Sequence, residues 1–288
     1  MRVYLDNGAT TMVDPEVVRA MQPYFTKRFG NASSLHSFGR EAKQALEDAR
    51  KIVAKKINAD PDEIVFTSGG TESDNMAIRG VAYLNKDKNH IITSKIEHHA
   101  VLNTCRALEK EGFEVTYLDV DREGFVNPKQ LQDAITDKTC LVTIMHANNE
   151  IGTIEPIEEI GRICRKMNVL FHTDAVQSFT KVPLNVKKQK IDLASFSSHK
   201  IHGPKGVGAL YIRKGVTIKK LYDGGHHEFN RRPGTENIPG IVGFAKAVEL
   251  ATPDHVKKMI LLRDKLINDI YSSIKEVRLN GPRKRRLC

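Results

Sequence analysis

The sequence predicts an α/β domain with a mostly parallel central sheet flanked by helices. Short apolar runs alternate with amphipathic stretches, the pattern of strand–helix units. Glycine-rich or polar turns separate them. With 288 residues, 40% of them apolar, there is material for one large core. In order, Glu63–Thr67 reads as a buried strand and Thr71–Leu84 as a helix. His90–Thr93 is the next strand, and a helix follows through Ala100–Lys110. Glu114–Leu118, Thr139–Ile144 and Leu170–Asp174 are further strands. Between the last two, Ile157, Ile160, Ile163 and Cys164 mark a helix over Ile157–Lys166. Ile191–Phe196 and Val207–Ile212 finish the sheet, joined through the turn at Gly203–Gly206. After Gly240 come helices at Ile241–Leu250 and His255–Ile274, then a short strand at Val277–Leu279. Residues 1–250 are expected to form the large domain, and 251–288 to begin a smaller α+β unit.

Composition excludes several classes. No apolar run approaches the roughly 18 residues that a membrane span needs. The start, MRVYLDNGATT, has no apolar signal region, so the expected location is the cytoplasm. Cys105, Cys140, Cys164 and Cys288 form no CxxC, and the first three fall in expected helices or strands as small buried hydrophobes. The net charge is +10, but four of the positive charges sit in the terminal run Arg283-Lys284-Arg285-Arg286. No recognition module accompanies them, so nucleic acid is not an expected partner. His98-His99 and His226-His227-Glu228 lack the HExxH spacing, and no metal is expected.

Three segments concentrate chemistry. In Thr67-Ser68-Gly69-Gly70-Thr71-Glu72-Ser73-Asp74-Asn75, paired glycines lie between a strand and a helix. A helix N-terminus there points free N–H groups at an anion, and Thr71 adds a hydroxyl. Taken alone, the glycines are equally read as needed only for a tight turn. In His172-Thr173-Asp174, an acid follows a buried run at the end of a strand, where α/β sheets gather ligands. Such an acid needs a partner, and a protonated ring nitrogen is one. In Ser195–Gly206, Lys200 leaves a buried strand among hydroxyl residues and glycines and can serve as a Schiff-base lysine; Lys205 is its rival. A phosphate cradle, an acid and a lysine are together what pyridoxal 5'-phosphate requires.

On these motifs the chain resembles the cysteine desulfurases of the class V aminotransferase family, on the branch that supplies sulfur for iron–sulfur clusters. The resemblance runs from Tyr4 onward and is carried by LDNGATT, FTSGGTESDN, SKIEHHAVL, MHANNEIG, HTDAVQS, SFSSHKIHGPKGVGALY and RRPGTEN. It implies a fold-type I pyridoxal-phosphate transferase, a homodimer, L-cysteine as substrate and an iron–sulfur scaffold or other protein as sulfur acceptor. It also implies residue roles. Lys200 matches the lysine that binds the cofactor and shuttles the Cα proton, and Asp174 the acid at the pyridine nitrogen. Gln177 matches the contact to the phenolic oxygen, and His98 the histidine stacked on the ring. Gly70, Thr71, Ser197 and His199 match phosphate- and ring-binding positions. Asn149 falls where the substrate carboxylate and the cofactor are held. Thr235 matches the threonine that reaches the neighbouring subunit's phosphate.

The family's reactive cysteine and carboxylate-binding arginine lie beyond the point matched by Cys288. Neither is expected in this chain. Cys288 stands beside basic residues that favour a thiolate, yet it is a poor replacement for a cysteine on a mobile loop. Activity of the 288-residue chain is therefore in doubt. A transaminase, a selenocysteine or β-lyase, and an inactive partner of a longer paralogue stay open as alternatives.

Overall fold

A computed structural model describes residues 2–85 and 87–288. Three helices precede the first expected strand: α1 (Pro15–Met21), α2 (Pro23–Thr26) and α3 (Ser37–Lys56). Asp14 caps α1 through the Glu16 N–H at 2.7 Å, with Pro15 in the first turn. Helix α3 buries Ala42, Leu46, Ala49 and Val53, which recur at the spacing of one helical face.

The remaining elements run β1 (Ile64–Thr67), α4 (Gly70–Leu84), β2 (His90–Ser94), α5 (His99–Lys110), β3 (Glu114–Leu118) and α6 (Pro128–Ala134). Then come β4 (Thr139–Thr143), α7 (Ile157–Lys166), β5 (Leu170–Asp174), β6 (Leu193–Ser197) and β7 (Gly208–Ile212). The short turn α8 (His227–Asn230) and the helices α9 (Ile238–Leu250) and α10 (Pro253–Ser273) close the chain. Helix α7 follows its sequence closely: Glu158 and Glu159 sit in its first turn and Arg165 and Lys166 in its last, each complementing the helix dipole. Helix α9 starts three residues earlier than its apolar pattern, because the Asn237 side chain accepts the Gly240 N–H and Pro239 fits the first turn.

The seven strands are ordered β1-β7-β6-β5-β4-β2-β3. Strands β2 to β6 pair in parallel, and β7 is antiparallel to both neighbours. The β6–β7 link is too short for a crossover, so the chain returns antiparallel. Left-handed backbone at His202 (φ 65°) and Gly206 (φ 77°) makes that return. Because β1 and β6 both oppose β7, they point the same way.

Successive strand residues feed two separate cores. Ile64 and Phe66, Ile92, Ala209 and Tyr211 face one cluster; Val65, Ile91, Leu210 and Ile212 face the other. A sheet buried on both faces needs this continuous apolar strand sequence. Each fully buried aliphatic or aromatic side chain contributes roughly 1.5–3 kcal/mol.

Two expectations change. Residues Val277–Leu279 form no strand and join no ladder. The nearest pairing is a single bridge between Thr153 and Arg286. Helix α10 is longer at its start than expected, begins at Pro253 and buries no residue.

Candidate active site

Parallel strands aim their C-terminal ends at one edge of the sheet, where the backbone turns away and leaves a cleft. Thr67, Ser94, Thr143, Asp174 and Ser197 are the last residues of β1, β2, β4, β5 and β6. A cleft of about 230 Å³ opens at this edge. It is lined by nine of the ten sequence-predicted residues: Gly70, Thr71, His98, Asn149, Asp174, Gln177, Ser197, His199 and Lys200. Thr235 does not line it and is exposed to solvent. Lys205 is also exposed and outside the cleft, so only Lys200 of the two candidate lysines enters it.

The strand-to-helix turn after β1 is built for an anion. Gly69 caps α4 with φ 153°, and no side chain accepts the N–H groups of the first turn. These donors point out of the helix end with the positive end of its dipole. Gly208 of β7 packs against the turn, and a Cβ there would lie 2.7 Å from the Gly69 Cα. Gly70 itself faces Val176, whose Cγ2 would stand 2.7 Å from an added Cβ.

Asp174 is buried, and its Oδ1 accepts the Val176 N–H at 2.9 Å. Burial raises its carboxyl above the usual range, against the pull of the Val176 N–H, His98 and Lys200. Behind it lies Asp74, fully enclosed in α4, with Oδ1 unpaired and 3.6 Å from His172 Nε2. Burial and the nearby Asp174 raise the Asp74 carboxyl well above its ordinary value. His172 is neutral: burial lowers it to about 3, and its ring bonds Thr143 Oγ1 and Ser195 Oγ at 2.8 and 3.0 Å.

Lys200 is positioned by the N-terminal segment. Its Nζ donates to the Gly8 carbonyl and to the Ala9 carbonyl at 2.9 Å. Gln177 Nε2 donates to the same Gly8 carbonyl at 2.7 Å, and His199 Nδ1 lies 3.1 Å from Thr10 Oγ1. Burial lowers the Lys200 ammonium, while Asp174 and Asp6 oppose that shift. His98 caps α5, its Nδ1 accepting the Ala100 N–H at 3.1 Å. Glu97 beside it accepts from Ser94 Oγ at 2.7 Å and from the Met145 N–H at 2.9 Å, tying the ends of β2 and β4 together.

These groups fit pyridoxal 5'-phosphate. The uncapped helix end with Thr71 suits a phosphate, the buried Asp174 suits a cationic ring nitrogen, and Lys200 suits an aldehyde. Sequence reasoning did not anticipate Asp74 or the Gly8 and Ala9 carbonyls. An acid within an otherwise apolar helix face was the available signal for Asp74; backbone carbonyls leave none.

Three cysteines are buried as expected: Cys105, Cys140 and Cys164. Burial pushes their thiols up to about 12, 11 and 12. The expectation for Cys288 is corrected, since burial raises that thiol too, and the charge that most opposes this is Lys181 rather than the basic run. Among the described residues, no helix is long and apolar enough to cross a membrane, and no group of three His, Cys, Asp or Glu is placed to hold a metal.

The aminotransferase class-V family pattern matches residues 3–286. A cysteine desulfurase IscS of Dictyoglomus turgidum is 55% identical over 99% of this chain and 73% of its own length. One from Methanosarcina thermophila is 56% identical, over 99% of this chain and 72% of its own. Among solved structures, a NifS-like protein superposes with a TM-score of 0.91 at 46% identity, covering 94% of this chain and 76% of its own. SspA in complex with cysteine has a TM-score of 0.89 at 42% identity, covering 93% and 78%.

Proposed function

The chain belongs to the class-V aminotransferase family, and we propose that it is a pyridoxal-phosphate-dependent cysteine desulfurase, taking sulfur from L-cysteine to leave L-alanine. The observation that carries this reading is one cleft that joins the uncapped end of α4, the buried Asp174 and the Lys200 amine. The cofactor, when bound, supplies an electron sink for the pair released as the substrate Cα–H bond breaks. In this reading Gly70, Thr71, Ser197 and His199 hold its phosphate and ring, and Asp174 keeps a proton on its ring nitrogen. Gln177 orients the phenolic oxygen, His98 covers the ring and Asn149 orients the substrate. Lys200, whose ammonium is weakened by burial, accepts and returns the Cα proton at Nζ.

Thr235, exposed and outside its own chain's cleft, supports a homodimer in which each subunit completes the other's phosphate site. The proposed domain boundary falls near 250, where the buried core ends and α10 begins without a buried residue. The proposed setting is the cytoplasm, with a scaffold or other protein taking the sulfur for iron–sulfur clusters. The test is alanine formation from cysteine by the cofactor-loaded protein with a reductant present. Sulfide released with pyruvate instead of alanine would indicate a β-lyase, and keto acid formed with an amino acceptor would indicate a transaminase.

A further inference from the structure

Glu72 sits in the first turn of α4, the same turn that offers its N–H groups to an anion, with its side chain only 6% exposed. An ionised carboxylate there opposes any phosphate on electrostatic grounds. Its Oε2 accepts the Ser68 N–H at 2.6 Å, and Arg232 donates through Nε to Oε1 at 2.9 Å and through Nη2 to Oε2 at 3.4 Å. Burial would raise this carboxyl, but Arg232 and Ser68 overcome that and hold it ionised.

Arg232 is itself held in place. Two residues before it ends a run of three non-glycine residues in left-handed backbone: Glu228 (φ 43°), Phe229 (φ 58°) and Asn230 (φ 60°). Such a run persists only where surrounding contacts over-determine it. Here Glu228 is buried and receives Arg50 Nη1 and Nη2 at 2.8 and 2.7 Å, with the Phe66 N–H at 2.6 Å. Arg50 also donates to the Ile64 carbonyl at 2.7 Å, and its guanidinium lies over the Phe66 and Phe229 rings. The turn is thus pinned to β1, the strand that leads into the anion-binding turn.

We infer that Arg232 is a positioning residue for the cofactor phosphate, acting through Glu72. It neutralises that carboxylate and holds it on the Ser68 N–H, so that residues 69–71 meet a dianion without an opposing charge. The inference rests on the reading that this turn holds the phosphate. The Arg50–Glu228 pair fixes the loop from which Arg232 reaches.

The test titrates the full chain, stripped of cofactor, with pyridoxal 5'-phosphate and separately with pyridoxal, which lacks the phosphate. Arg232→Gln should weaken binding of the phosphate form about tenfold, the equivalent of about 1.4 kcal/mol, and change pyridoxal binding by less than about twofold. Arg232→Lys should keep most of the discrimination. The double variant Glu72→Gln/Arg232→Gln should recover most of the loss, because it removes the uncompensated charge. Equal weakening of both ligands, no weakening, or no recovery in the double variant overturns the inference. Thr71→Ala separates the underlying reading. If it leaves the ratio of the two affinities unchanged, the turn does not hold the phosphate. If it lowers that ratio while Arg232→Gln does not, only the role of Arg232 fails.

Discussion

Glu97→Gln should flatten the pH dependence of stability. Glu97 is buried, its Oε1 accepts from Ser94 Oγ and the Met145 N–H, and its Oε2 has no partner. Burial carries the carboxyl from an ordinary value of 4.5 to about 8, against those two hydrogen bonds. The folded protein therefore keeps a proton that the unfolded chain has released. For an acid raised in this way, the contribution to stability is largest below about pH 4.5 and declines as pH rises toward 8. The decline is about 1.4 kcal/mol per pH unit, or roughly 2.5 kcal/mol from pH 5 to pH 7. Glutamine keeps the Oε1 acceptor and cannot ionise, so that part of the slope disappears. Urea unfolding at several pH values across this range measures it. Parallel curves for Glu97→Gln and the parent chain would show that Glu97 is ionised in the fold. The result bears on the site, because Glu97 joins the ends of β2 and β4 next to His98 and Met145, both of which line the cleft.

Lys200→Ala should abolish reductive trapping of the cofactor by borohydride, while Lys205→Ala should leave it intact; the reverse outcome would reassign the lysine. Asp174→Asn should slow removal of the cysteine Cα proton at least about a hundredfold, since an amide cannot hold the ring-nitrogen proton, and exchange of that Cα proton in deuterated water reads this without sulfur transfer. The 288-residue chain should bind cofactor yet desulfurate cysteine slowly, because Cys105, Cys140 and Cys164 are buried as neutral thiols and, among the described residues, no cysteine lines the cleft. Fast turnover that survives Cys288→Ser would contradict this, and turnover lost only in Cys288→Ser would make Cys288 the sulfur carrier. Sedimentation should show a cofactor-loaded dimer, and Thr235→Ala should weaken cofactor binding in it; a loaded monomer would refute the shared site.

Local pattern in the sequence determined the strands, five of the ten helices among the described residues and the three chemical segments. Apolar runs such as Ile64–Thr67 and Leu170–Asp174 are strands because both faces of the sheet are buried, and that requirement is written residue by residue. The lysine, the acid and the glycine turn were legible for the same reason, since each needs a particular residue type at a strand end. The apolar spacing of Ala42, Leu46, Ala49 and Val53 in α3 was equally present, although its amphipathic character lies in a stretch rich in charge. Other features belong to the tertiary structure alone. The antiparallel course of β7 depends on left-handed turns between β6 and β7. The hold on Lys200 comes from carbonyls 192 and 191 residues away in sequence, and backbone carbonyls carry no residue signature. Val277–Leu279 has strand-like residues, but a strand exists only where a neighbour supplies the other half of the ladder. The raised carboxyls of Asp74 and Glu97 likewise come from enclosure by distant segments, which a linear sequence cannot display.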